Sequence, residues 1–368
     1  MFNGMFKVPF RIHSRHRNRI KSLLLCGTCF LTFFFLASNE TTGQELHKPA
    51  LYRLIFWNVE NLFDTKNDSC KNDDAFTPSG DNHWTQRRYR QKLTNICRVL
   101  AAAGEQDDGH VEMPIAVGLA EVENDRVLHD LCRGTALRRF SYMYVHYESP
   151  DKRGIDNALL YRPDCFTPFF TQAVNVSDST IDLSTRDILL VEGKTRDGDT
   201  LILLINHFPS KLGGATADRK RDHIAQKLQY VMDTLLRCHP HAAIVVMGDF
   251  NASPDEPEIA RTLMQNGKSD FVNLMSRMER GTGSHNYQGK WSYLDQILVP
   301  AAMLCGRCSL QVNEGAARLF APDFMLVDDE RHLVRKPFRT YLAMKYQGGF
   351  SDHLPVYIDL VRQRQEKP

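Results

Sequence analysis

Before Glu40 the chain has no acidic residue, and nowhere in its 368 residues is there a block of five like charges or an internal repeat. Each absence narrows the function. Without like-charge blocks there is no polybasic tail, which argues against a dedicated nucleic-acid coat. Without a Pro/Ser-rich linker between residues 50 and 360, one large domain is the default. The longest apolar run, residues 23–36, is broken by Gly27, Thr28 and Thr32. It is shorter than the about 20 residues a membrane-spanning helix needs. What remains, 42% hydrophobic and 24% charged residues with 22 Gly and 16 Pro, is the balance of a folded soluble domain.

The charge is unevenly placed. Lys7, Arg11, Arg15, Arg17, Arg19 and Lys21 precede the apolar run, and Ala37 and Ser38 follow it. That pattern predicts a signal peptide over residues 1–37, a linker over 38–50 and export to the periplasm, cell surface or medium. Removing residues 1–37 takes six of the 46 basic side chains and none of the 44 acidic ones, leaving 40 against 44 and a net charge of −4. The leader also takes Cys26 and Cys29, so seven of nine cysteines remain. An odd number in an oxidising compartment permits at most three bridges. Among these seven, Cys305 and Cys308 alone have zinc-like spacing, and a structural zinc wants four ligands, so the pair reads as structural or incidental.

Periodicity predicts strands at residues 52–58, 115–120, 142–147, 157–161, 188–192, 201–206, 243–247, 293–299, 309–312 and 355–360. Helices are expected over 85–103 and 217–238, and a third beginning at Ser253, with Pro254 next and Glu256 three residues on. The turn formers Asp197, Gly198 and Asp199 predict antiparallel pairing of 188–192 with 201–206. Hairpin-like strands in both halves with a few helices suggest two sheets packed face to face and helices outside. No Gly-rich phosphate loop follows the first strand, which weakens a Rossmann reading.

Acids, amides and histidines gather at the ends of these strands. Asn58 and Glu60 end the first, Glu121 the next, His207 another, and Asp249 and Asn251 close Gly248-Asp249-Phe250-Asn251. Asp295 lies in a later strand, and Asp352 and His353 precede the last in Ser351-Asp352-His353. Singly, each is an ordinary turn, cap or buried polar residue. Together they supply oxygen ligands for Mg²⁺ or Mn²⁺ and imidazoles for phosphate chemistry.

This ordered set resembles the endonuclease/exonuclease/phosphatase superfamily of DNase I-like phosphoesterases, over about residues 52–358 of a domain spanning 51–362. The resemblance implies an α/β four-layer sandwich of two mixed sheets flanked by helices, with the site at one rim. It implies that Glu121 is the principal ligand of Mg²⁺ or Mn²⁺, with Asn58 beside it, Glu60 as a second acid, and Asp352 adding ligation or positioning. Asp249, held by Asn251, would activate water, and His353, oriented by Asp295, would contact the phosphate. His207 stands where abasic-site nucleases carry tyrosine, which argues against that activity, and Asp156 is its candidate partner acid.

Softer candidates are Lys211 and Arg153 for phosphate, and Tyr287 and Trp291, in a Gly-rich loop, for stacking on a base or sugar. The expectation is an exported phosphodiesterase acting on DNA or RNA, of endonuclease type, with no obligate protein partner and a monomeric state. Phospholipid or inositol phosphate hydrolysis on the same fold remains open. So does a secreted, non-catalytic binding protein, although a degenerate member would have lost one of Glu121, His207, Asp249 or His353.

Overall fold

The computed structural model describes residues 51–105, 111–279 and 281–362. The basic and apolar leader, its cleavage position and the expected linker lie outside them. Along the chain the strands are β1 (Leu51–Leu62), β2 (Ala116–Val122), β3 (Met143–His146), β4 (Asp156–Tyr161), β5 (Phe166–Val174), β6 (Ile188–Thr195), β7 (Thr200–His207), β8 (Ala243–Asp249) and β9 (Phe271–Asn273). A hairpin of β10 (His285–Tyr287) and β11 (Lys290–Ser292) precedes β12 (Asp295–Pro300), β13 (Leu310–Val312) and β14 (Arg318–Leu319). Two more hairpins, β15 (Leu326–Asp329) with β16 (Val334–Pro337) and β17 (Tyr341–Leu342) with β18 (Lys345–Tyr346), lead to β19 (Val356–Arg362). One sheet runs β13-β19-β1-β2-β4-β3 with β14 also on β19, and the other β5-β6-β7-β8-β12-β9.

Alternation sets the layers. Leu54 and Phe56 of β1 enter the same core as Leu203 and Ile205 of β7, Val245 and Met247 of β8, and Ile297 and Val299 of β12. The intervening residues face outward: Ile55 and Trp57 meet Leu93, Ile96 and Leu100 of helix α1 (Gln86–Ala103) and Leu128 of α2 (Asp125–Gly134). Ile202, Leu204, Ile244 and Val246 meet Ile224, Leu228 and Met232 of α3 (Ala215–Cys238). Strands buried on both faces carry continuous apolar runs, which is why they are legible as strands but not as half-exposed ones. The result is the expected sandwich, and β6 and β7 pair antiparallel through Asp197, Gly198 and Asp199 as the turn residues predicted.

The third helix differs from expectation. Ser253 accepts the Glu256 N–H in a turn through its backbone oxygen, and the helical segment, a six-residue π-helix, begins only at Glu258 after Pro257. Proline disfavours helical geometry in the residue before it, so Glu256 cannot carry the helix through from Ser253. Strand β5 and helix α2 were not legible. Pro168 sits at a register shift in β5, and α2 spans ten residues with its start set by the Asn124 side chain accepting the Val127 N–H. Among the described residues all seven cysteines are free thiols, so none of the permitted bridges forms. No described helix is long and apolar enough to cross a membrane.

Candidate functional site

Register builds the site. β7 and β8 are parallel with His207 opposite Asp249, and β12 is antiparallel to β8 with Asp295 also opposite Asp249. His207, Asp249 and Asp295 each follow or precede by two an inward core residue (Ile205, Met247 and Ile297), so all three point between the sheets. Asn58 follows Phe56 in the same way. Gly248 allows the close approach: a Cβ there would lie 2.4 Å from the backbone oxygen of Asn206.

Glu121 reaches the same rim by a different device. Regular alternation would send it outward with Leu119. A register shift between Ala120 and Val122 inserts Glu121 as an extra residue at φ 64°, matched on β1 by Glu60 and Asn61, each at φ 53°. Such a bulge re-aims one side chain at a local conformational cost of about 1–3 kcal/mol. The Glu121 carboxylate accepts the Asn61 N–H at 2.9 Å through Oε2, and its Oε1 stands 4.0 Å from His207 Nε2.

Asp249 lies at the centre. Its Oδ1 accepts the Asn251 backbone N–H at 2.9 Å and its Oδ2 accepts from Asn58 Nδ2 at 3.0 Å, while the Nε2 atoms of His207 and His353 stand 3.6 and 3.7 Å from Oδ2. Asn251 thus holds Asp249 through its backbone, and its side chain instead donates to the Phe208 carbonyl at 2.9 Å. Burial, together with the charge of Asp295, pushes the Asp249 carboxyl up to about 7 against the opposing His353, Asn251 and Asn58.

The two imidazoles diverge. Burial alone would lower His353, but Asp295, at 2.6 Å from its Nδ1, with Asp249 and Asp352, holds it well above the usual histidine value. Burial and the Arg186, Arg153 and His353 charges push His207 well below it. His353 is therefore a cation and His207 a neutral ring at neutral pH. The expected His207–Asp156 pair does not form: among the described residues His207 Nδ1 has no hydrogen-bond partner, and Asp156 lies 3.3 Å from His146 Nε2 and accepts the Ser149 N–H at 3.0 Å. Beside His207 sits buried Arg186, donating to Asp151 at 3.0 Å and to the Phe208 carbonyl at 2.7 Å. No motif marks Arg186 in the sequence.

Glu60 turns away from Glu121. Its carboxylate accepts the backbone N–H groups of Thr340 at 2.6 Å and Tyr341 at 3.3 Å and pairs with Arg339 at 3.3 Å, so it fastens the 339–341 segment. Asp352 pairs with Arg339 at 2.9 Å and lies on a wall beside His353. His285, absent from the sequence reading because its short strand β10 carries no apolar run to mark it, sets its ring 4.8 Å from that of His353, tilted by 42°. Lys211 is taken up by an ion pair with Glu256, and Arg153 is half-exposed near Asp151. Tyr287 is exposed at the edge of a cavity that includes Asp352, whereas Trp291 packs half-buried on the helix-side core and lines a separate cavity near Met275.

The residues fit a hard divalent cation. Among the described residues no donor lies within hydrogen-bond distance of Glu121 Oε1, Asn58 Oδ1 accepts only the Glu60 N–H at 2.9 Å and keeps a second lone pair, and Asp249 is a carboxylate raised chiefly by burial. Oxygen donors of this kind suit Mg²⁺, Mn²⁺ or Ca²⁺ in preference to soft metals.

Similar solved structures include an endonuclease/exonuclease/phosphatase family protein from Bacteroides thetaiotaomicron, 17% identical, covering 86% of this chain and 96% of that one at a TM-score of 0.54. A mannosyl-6-phosphatase from the same organism is 16% identical, covering 84% and 99% at 0.53. TDP2 of D. rerio, complexed with single strand DNA product, is 14% identical, covering 84% and 99% at 0.51. At such identities these show a shared fold. No curated protein matches the chain. The model of the Endonuclease/Exonuclease/phosphatase family, however, matches residues 53–362. By that match the chain belongs to the endonuclease/exonuclease/phosphatase family, hydrolases of phosphoester bonds that work with a divalent metal.

Proposed function

We propose that the protein is an exported, Mg²⁺- or Mn²⁺-dependent phosphodiesterase of nuclease type. The observation that carries this reading is Asp249 set between two imidazoles of opposite character, at 3.6 and 3.7 Å. A phosphodiester is an anion that repels hydroxide, so its hydrolysis needs a base for water and cationic donors for the phosphate. Asp249 takes the water proton. His353, kept charged by Asp295, presents Nε2–H to a phosphate oxygen. Neutral His207 faces the carboxylates of Glu121 and Asp249 through Nε2, which favours the tautomer carrying its proton there, and it donates that hydrogen to a second oxygen. Glu121 and Asn58 would hold the divalent cation, whose contribution when bound is to neutralise charge on the phosphate.

TDP2 with its single strand DNA product supports the nuclease side. The mannosyl-6-phosphatase favours a second reading, a phosphomonoesterase on the same residues. Turnover of bis-p-nitrophenyl phosphate, DNA, RNA and p-nitrophenyl phosphate, with Mg²⁺, Mn²⁺ or EDTA, tests both. Diester cleavage abolished by EDTA supports the proposal, and turnover of monoesters alone favours the second reading. Export is checked by sequencing the native N-terminus, expected near Ala37, and monomeric state by light scattering.

A further inference from the structure

A cavity of about 400 Å³ opens beside His353 and is built by segments the catalytic residues do not use. One wall is the β10–β11 hairpin, contributing Asn286, Tyr287 and Gln288, and the other the β15–β16 hairpin, contributing Asp329, Arg331 and Lys336. Arg339 and Asp352 also line it, and Asp352 joins it to the reacting centre. The hairpins touch at their tips, since a Cβ on Gly289 would stand 2.8 Å from that of His332. A backbone bridge between His285 and His353 fixes the first hairpin to the site. A nucleic-acid strand continuing in this direction would have to pass where those tips already meet.

The lining carries three cationic side chains, Arg331, Lys336 and Arg339, against two carboxylates, Asp329 and Asp352. Both Asp329 oxygens are occupied, Oδ1 by the Arg331 backbone N–H at 3.1 Å and Oδ2 by His332 at 3.0 Å and Lys336 at 2.9 Å. Asp352 is paired with Arg339. Arg331 is exposed, and its guanidinium has no hydrogen bond or ion pair among the described residues; among the same residues the Asn286 amide nitrogen is buried, closed off from the cavity, without an acceptor. Exposed Tyr287 offers a ring at the edge. The volume lies in the range of single small-molecule sites, about 300–1,000 Å³.

We infer that this cavity receives a single phosphorylated sugar or nucleoside as the terminal unit of the substrate, so that cleavage occurs at an end and not within a chain. This rests on the reading of the site as a phosphoesterase and replaces endonuclease action with action at a terminus. The second phosphate meets the Arg331 guanidinium and the Lys336 ammonium, which it shares with Asp329, and a base or sugar face lies on Tyr287.

The test reads binding as well as turnover. With the metal-loaded protein, calorimetry compares thymidine 3′,5′-bisphosphate with thymidine 5′-monophosphate, and a hexose 1,6-bisphosphate with the 1-phosphate. The bisphosphate of at least one pair is expected to bind about ten-fold or more tightly, the scale of a charge-assisted hydrogen bond. Arg331→Ala should reduce that ratio, and Tyr287→Ala should weaken the nucleotide only, which separates the two sources. Circular single-stranded DNA should resist cleavage under conditions that degrade the linear form. Equal binding within both pairs, a ratio unaltered in Arg331→Ala, or circular and linear DNA cut at equal rates overturns the inference. Inactivity towards bis-p-nitrophenyl phosphate would count against the diesterase reading instead, while the binding ratio still decides the cavity.

Discussion

His353 Nδ1 stands 2.6 Å from Asp295 Oδ2 while its Nε2 stands 3.7 Å from Asp249, so one ring joins the carboxylate that charges it to the carboxylate that handles water. Asp295 is fully buried, and its position is fixed by pairing with Asp249 across β8 and β12. Asp295→Asn should therefore act through His353. With the carboxylate gone, the imidazolium loses its largest stabilising charge, its raised proton affinity falls, and the alkaline limb of kcat against pH moves to lower pH. In a His353→Ala background the same substitution should change kcat little. An unmoved alkaline limb would refute the coupling.

Asp249→Asn and His353→Ala should each lower kcat by on the order of 10² to 10⁴, and the double variant should fall near the worse single one. Steady-state kinetics, with circular dichroism melts to show that the fold survives, checks this. Because burial pushes Asp249 up to about 7, activity at limiting metal should rise as pH passes upward through that region and the base form appears. Wild-type turnover by a folded Asp249→Asn protein would sink the mechanism.

Glu121→Gln and Glu60→Gln separate two acids that the chain places 61 positions apart and one rim brings near. Glu121→Gln removes charge from the open oxygen of the donor set, and half-saturation by Mg²⁺ should rise about ten-fold or more. Glu60→Gln weakens a buried acceptor of the Thr340 and Tyr341 N–H groups, which predicts a loss of about 1–3 kcal/mol in urea melts. Its metal titration should stay close to wild type. The reverse pattern would reassign the two residues.

His146 makes a pH prediction remote from the chemistry. Burial alone would lower it, but the Asp156 hydrogen bond and the Asp156, Glu148 and Asp125 charges raise it above 6.5. A group raised on folding contributes stability that is complete below its unfolded value and is lost as pH climbs through the folded one. The Tm advantage of wild type over His146→Gln should thus be full at acidic pH and shrink as the pH rises above the ordinary histidine range. A constant difference would show that His146 contributes through packing alone.

The fold was legible where burial leaves long apolar runs, as in Leu201 to Ile205 and Ala243 to Met247, and where a motif fixes a strand end, as at Gly248 to Asn251. It was not legible where Pro168 interrupts β5, where α2 is short, or where Pro257 moves a helix start. In the site, residue type and order pointed to the set containing Asp249, His353 and Asp295: strand pairing sets Asp295 opposite Asp249, and His353, just before the last strand, meets Asp295 through its side chain. Pairings across loops escaped. Asp156 answers His146 and Glu60 answers the 339–341 backbone, and neither distance is written in local spacing. Arg186 and His285 escaped for the same reason.

Beneath Asn58, His207, Asp249 and Asp295 lie Phe56, Ile205, Met247 and Ile297, one step down the same strands and fully buried. The reacting groups are mounted on hydrocarbon, so their positions inherit every small shift in the interior. A displacement of about 1 Å can cost 10²-fold in rate, whereas losing methylenes from a buried Met or Ile costs about 2–5 kcal/mol of stability. A genetic screen for inactive but still soluble protein should accordingly return Met247 and Ile297 alongside the charged residues. On gradual heating, catalysis should fade before the sheets separate.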